Sequence, residues 1–330
     1  MSQRFRTVAA AIALMSVVQI PSVGQTRSST AKSWSVPRTP DNQPDLQGIW
    51  TNATITPLER PRELSGKEFF TPNEAAEYEK QVRERNHGDR RDANPEADLA
   101  TGYNDFWWDR GTKVVSTLRT SLIVDPPDGR IPSLTPEAQK RAAARAEARK
   151  LHPADGPEDL SLADRCIARP GPPMVPAGYN NNHRIVQTAG HVVIFSEMMH
   201  DARTIPLGAR PHLPNNVRQW LGDSRGRWEG NTLVVETTNF TDKTNFRGAG
   251  ENLRLIERFT RVDQDTLLYQ FTIDDPQSFQ RPWSAEIPMK RAEGPIFEYA
   301  CHEGNYSIVN TLSAARAEEK AAEAIRKEPR

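Results

Sequence analysis

Gln219–Phe240 reads QWLGDSRGRWEGNTLVVETTNF, and this stretch decides the fold class. Gly226 and Gly230 punctuate it, and Thr232–Thr238 (TLVVETT) has the β-branched density of a pleated segment, so it reads as strand, tight turn, strand. Downstream, Leu253–Val262 (LRLIERFTRV), Thr266–Asp274 (TLLYQFTID) and Trp283–Met289 (WSAEIPM) follow at short, regular spacing, the pattern of an antiparallel sandwich or barrel. Upstream, Arg184–Thr188 and His191–Met199 (HVVIFSEMM) are joined by Ala189-Gly190. Thr117–Asp125, a turn at Pro126-Pro127-Asp128-Gly129 and Arg130–Pro132 read as another hairpin. With Gly48-Ile49-Trp50 as the first strand, roughly nine or ten strands are expected, about the number at which a closed or nearly closed barrel hides its edges and keeps an interior cavity.

Two helices interrupt the β pattern. Thr71-Pro72-Asn73-Glu74 is a capping box with proline at the first helical position, which predicts a helix over residues 72–86. Thr135-Pro136-Glu137 starts a second, over residues 136–151, that His152-Pro153 stops. Neither has a wide apolar face, so both belong at the periphery. Residues 313–330 read as a charged, Ala-rich helical tail. The expected organisation is a signal peptide over 1–24, a flexible Ser/Thr/Pro-rich leader over 25–43, a single β-barrel-like domain over 44–312, and that tail.

The signal peptide rests on Arg4 and Arg6 ahead of the apolar run Val8–Ile20, followed by small residues at Ser22 and Gly24. No other apolar run approaches membrane length, so an exported (periplasmic or secreted) protein without stable membrane insertion is expected. Lys+Arg and Asp+Glu both number 43, and the charges are interspersed; with no basic field, nucleic acid is not an expected partner. Cys166 and Cys301 are the only cysteines, and an even number in an oxidising compartment favours a disulfide between them. Such a bridge would pin the Leu160–Arg169 loop beside a carboxy-terminal strand.

Four stretches carry side chains suited to chemistry. Tyr103-Asn-Asp-Phe-Trp-Trp-Asp-Arg-Gly holds four aromatics within six residues; Tyr103, Trp107 and Trp108 form either a stacking wall for a planar ligand or a plug in one barrel end. Gly171–Arg184 (GPPMVPAGYNNNHR) sets Tyr179 and His183 on an irregular path at a mouth, as substrate-binding groups or as turn chemistry. In Glu197-Met-Met-His-Asp-Ala-Arg, strand alternation would separate His200 from Asp201. Either His200 is a proton-transfer group, Asp201 its partner and Arg203 an anion holder, or the stretch carries a surface histidine and a structural Arg–Asp pair. In Glu298-Tyr-Ala-Cys-His-Glu-Gly, a strand would place Glu298 and His302 on one face, either as a proton-transfer pair on the inner wall or as an ordinary polar outer face. Tyr306 stands where a helical zinc motif needs its second histidine, and no ligand spacing joins His183, His200, His212 and His302, so neither metal nor cofactor is expected. Gly-x-Ser-x-Gly and Gly-rich phosphate loops are absent. Glu257 and Arg261 share the apolar side of LRLIERFTR, which points to a buried ion pair there.

The segments PDLQGIWTN, YNDFWWDRGT, RTSLIVDPPDGRIP, LADRC, EMMHDAR, WLGDSRGRWEGNTLVVETTNF and EYACHEGNY together resemble a group of exported bacterial proteins. The likeness spans most of the chain after the leader and implies no particular activity. The Gly-x-Trp opening and serial strands also resemble lipocalin-like barrels, in which a tryptophan packs under the floor near an arginine and a small molecule fills the interior. The helices before Asp159 depart from that simple pattern. Together these features predict a lipocalin-like β protein that acts on a small aromatic or cyclic molecule by metal-independent acid–base chemistry, as a lyase, isomerase or hydrolase; the alternatives are a protein that binds a hydrophobic molecule unchanged and a structural envelope protein without a cavity.

Overall fold

Alternation along the long strands builds the sheet. In β8 (Arg254–Arg261) every second residue is buried, and the same rhythm runs through β9 (Thr266–Asp274) and β10 (Trp283–Arg291). The computed structural model describes residues 34–88, 91, 94–96, 105–169, 171–244 and 246–327. The expected signal peptide, the first part of the expected leader and Tyr103 lie outside them. The other strands are β1 (Gly48–Thr51), β2 (Ile123–Asp125), β3 (Asn182–Gln187), β4 (His191–Ser196), β5 (Ala202–Pro206), β6 (Asp223–Glu229) and β7 (Thr232–Thr238).

Nine strands follow one antiparallel path, β5-β4-β3-β1-β10-β9-β8-β7-β6, and β2 pairs with β10. An odd number of alternating strands leaves the two ends running in the same direction. The seam matches that rule: Leu207, just beyond β5, forms a parallel bridge with Gly226 of β6, and Gly208 N–H donates to the Gly226 carbonyl at 3.1 Å. The sheet is thus a nearly closed barrel, the expected fold class, with its two edges facing each other. Gly226 is required for this approach. A Cβ there would lie 2.8 Å from Leu207 and 2.9 Å from Ile205.

The interior is filled from all sides. Trp283 is ringed by Phe246, Phe271 and Phe279, and Phe259 packs on Tyr269. Trp50 is fully buried on β1, with Arg261 and Arg291 each 5.6 Å from its ring, and its indole N–H donates to the Leu46 carbonyl. Helices lie outside the barrel, as expected. α1 (Pro72–Arg85) carries the full Thr71/Glu74 capping box, and α2 (Pro136–Leu151) starts at the Thr135 cap. α3 (Ser307–Lys327) begins earlier than the sequence suggests and buries none of its residues. Among the described residues no helix is long and apolar enough to cross a membrane.

Three expectations need correction. Residues 117–132 do not form a hairpin: β2 pairs with Ser284 and Ala285 of β10, while Ile131 N–H donates to Glu59, because the proline-rich arm offers few donors for a ladder. Residues 298–303 are not a strand, since the two edges of the sheet face each other and leave this segment no ladder to join. The part of the leader nearest the barrel is docked on it: Arg38 donates to Asn231 and Gln43 to the Ala189 carbonyl, at two hairpin turns.

If the Gly226 seam closes the barrel, Gly226→Ala should lower the unfolding free energy by about 1–3 kcal/mol in urea denaturation, as overpacking does. Unchanged stability would show that the seam yields freely.

Candidate functional site

β4 and β5 are joined by a tight reversal at Met198–His200, in which Met199 and His200 both adopt positive φ. This turn defeats simple strand alternation and aims its side chains separately. Beside it lies a cavity of about 420 Å³, walled by the Gly171–Ala177 loop, the start of β3, the end of β4, the start of β5, and Leu221 and Phe246 from two further connections. Met174, Val175, Ile194, Met198, Leu221 and Phe246 make most of the wall apolar.

Polar side chains from the loops and from β3, β4 and β5 interrupt that wall. Arg203 of β5 and Glu257 of β8 form a buried two-pronged pair, Nη1–Oε2 2.6 Å and Nη2–Oε1 3.0 Å. Tyr269 of β9 donates to Glu257 Oε1 at 2.8 Å and accepts from Met174 N–H at 3.0 Å, which ties the proline-rich loop to the barrel interior. Burial opposes the charge on Arg203, but Glu257 outweighs it and the guanidinium stays charged. Burial, then the Glu257 charge, pushes the Tyr269 hydroxyl well above its ordinary range, so it remains a donor. The pair is neutral as a unit.

His183 and Ser196 stand opposite each other in the β3–β4 register, with His183 Nδ1 3.0 Å from Ser196 Oγ. Burial, reinforced by Arg203, lowers the His183 pKa to about 4, so its ring is neutral at physiological pH. A base that weak makes a poor activator for Ser196 as a nucleophile; the two serve as neutral hydrogen-bonding groups. Asp201 differs. Its carboxyl lines the cavity, has no hydrogen-bond or ion-pair partner among the described residues, and burial raises its pKa to about 6. It is a carboxyl able to gain and lose a proton near neutral pH.

The structure brings together Asp201, Arg203 and His183 of the residues singled out from sequence. Arg203 does not stand as a free anion holder, because Glu257 neutralises it. Tyr179 sits just outside the cavity, between Arg169 (5.9 Å from its ring) and Trp108 (6.2 Å between rings). Arg110 covers the Trp108 ring at 3.9 Å. Trp107 is exposed. His200 faces away from Asp201: its ring stacks on Phe195, and Nε2 accepts from Tyr299 N–H at 3.0 Å. Glu298 and His302 are exposed and do not line the cavity, because their segment is irregular rather than a strand of the wall. Among the described residues no three His, Cys, Asp or Glu side chains come together as a metal-holding group, and His212 instead bonds Asp223.

The disulfide Cys166–Cys301 is formed, with Cα atoms 5.7 Å apart. It ties the segment ahead of α3 to the loop that carries Arg169. The same segment is fastened by Phe297 N–H to buried Glu197 (3.2 Å) and by Asn305 to the Asp164 carbonyl (3.1 Å). Ser196 was within reach of sequence reasoning, since Val192, Ile194 and Ser196 share one face of a strand. Arg169 and Arg247, both exposed where they line the cavity, lie in loops with no period to reveal them. Comparison with protein-family models, curated proteins and solved structures finds no significant match.

Removing one partner of the buried pair leaves the other charge stranded. Glu257→Ala should cost about 3–5 kcal/mol in urea unfolding, and Arg203→Met combined with Glu257→Leu should cost clearly less. A double variant no more stable than Glu257→Ala would contradict the pairing.

Proposed function

We propose that the protein is an exported enzyme that transfers protons to and from a small organic molecule held in the barrel cavity. The observation that carries this reading is the unpartnered, half-buried Asp201 carboxyl, set in a cavity wall whose buried polar groups, the Arg203–Glu257 pair and His183, are neutral. Asp201 takes a proton from carbon of the bound molecule and either returns it at another carbon, the chemistry of an isomerase, or delivers it to a departing hydroxyl that leaves as water while a double bond forms, the chemistry of a lyase. Neutral His183 and the Ser196 hydroxyl are suited to hydrogen-bond the charge that develops. Tyr179 and Trp108 lie alongside for an aromatic or cyclic body. The scheme assigns no step to a metal. Export is supported by the basic and apolar amino-terminal segments and by the disulfide, since such bridges persist in oxidising compartments. The apolar lining equally suits a carrier that releases its ligand unchanged, which the same experiment distinguishes.

Protein produced with its own leader is examined by native mass spectrometry, and any retained organic molecule is released and returned to it in D2O. Deuterium should enter the molecule at carbon, at a rate rising with pH through about 6 as Asp201 ionises. Asp201→Asn should slow exchange by about 10²–10⁴-fold, while His302→Ala and Glu298→Gln should leave it unchanged. A molecule bound but returned without deuterium would mark a carrier. Exchange undiminished in Asp201→Asn would remove Asp201 from the chemistry.

A further inference from the structure

We infer that the molecule this cavity accepts is an organic carboxylate, its apolar body in the cavity and its carboxylate held at the rim by Arg169 and Arg247. The inference rests on the cavity reading above and names the substrate class. Its basis is a charge imbalance. Arg203 is cancelled by Glu257, and His183 is neutral, so the charged side chains left to face a ligand are Arg169, Arg247 and Asp201. Asp201 carries at most one negative charge, against two fixed positive ones.

Neither arginine is engaged as arginines usually are. Arg169 reaches the Met198 sulfur at 3.5 Å and the Tyr179 ring, both weak acceptors. The Arg247 guanidinium has no hydrogen-bond, ion-pair or ring partner among the described residues. Nearby acids are otherwise occupied: buried Glu197 accepts from Asn182 and Phe297 N–H, and Asp223 holds Arg225 and His212. Elsewhere exposed arginines on the barrel do find carboxylates, as Arg254 finds Glu236 and Arg258 finds Glu229. Two guanidinium forks that line one apolar cavity and pair with no carboxylate of the protein supply the donors that bond a carboxylate from two sides. The cavity volume of about 420 Å³ suits a body the size of a phenylalkyl chain. The assignment also fits proton transfer next to a carboxylate, where cationic forks draw off developing negative charge.

The test uses the full chain with N-phenylnaphthylamine, an uncharged fluorescent reporter of apolar cavities, displaced by phenylbutanoate or by phenylbutanol. The acid and the alcohol share a body and differ in the headgroup. The acid should bind about five- to tenfold more tightly at neutral pH, with the advantage shrinking as salt rises. Arg169→Gln and Arg247→Gln should each reduce that advantage, and the double variant should abolish it while phenylbutanol binding stays at the wild-type level, which also shows that the variants fold. Equal binding of acid and alcohol by the wild type, or an advantage that survives the double variant, would overturn the carboxylate assignment and leave the cavity reading standing. Failure of the reporter and both probes to bind would overturn the cavity reading and this inference with it.

Discussion

The buried pair between Arg203 and Glu257 is the constraint on which the site depends. Two ions withdrawn from water are tolerated only when their geometry is good and their remaining valences are met. Here the contact is two-pronged, and Tyr269 supplies a further donor to Glu257. Because the three groups come from β5, β8 and β9, the pair joins one edge strand to the far side of the barrel. Tyr269 extends the link to Met174 N–H, and so to the proline-rich loop over the cavity. The charge balance of the interior follows: the pair is neutral, its positive end helps keep His183 neutral, and Asp201 is left as an unpartnered carboxyl whose pKa burial raises to about 6.

Around this interior the chain closes the mouth with ties of a different kind. The segment from Phe297 to Asn305 carries no strand, yet it is held by Glu197, by His200, by Asn305 and by the Cys166–Cys301 bridge. Glu197 and His200 therefore act in the architecture of the rim. The bridge fixes the loop bearing Arg169 against the carboxy-terminal segment, so the rim's position is covalently linked to the end of the barrel sequence.

The strands were legible because a half-buried strand writes its face into the sequence with a period of two. LRLIERFTR shows both the reach and the limit of that reading. Its alternation places Glu257 and Arg261 inward, as observed, and flags a buried ion pair. The partner of Glu257 is nevertheless Arg203, from another hairpin, while Arg261 lies against Trp50. Periodicity tells which face a residue is on; it does not tell which strand stands across the barrel. The candidate site was legible in the same partial way. Asp201 was recognised as a partner group at a strand end and His183 as a polar group on an irregular path at a mouth, but their roles depend on burial, which only the closed sheet sets. Adjacency in sequence made His200 the natural partner of Asp201, and the positive-φ turn at Met199 and His200 sends the two side chains to different places. Glu298 and His302 matched strand alternation in a segment that has no strand to pair with.

Whether Asp201 exchanges its proton near neutral pH is tested most directly by carboxyl carbon-13 NMR across a pH titration, with Asp201→Asn to assign the signal. A midpoint near 6 is expected for the signal that vanishes in the variant. An Asp201 midpoint near the ordinary carboxylate value of about 4 would contradict the proton-transfer role, because the group would then be solvated rather than held in an apolar wall.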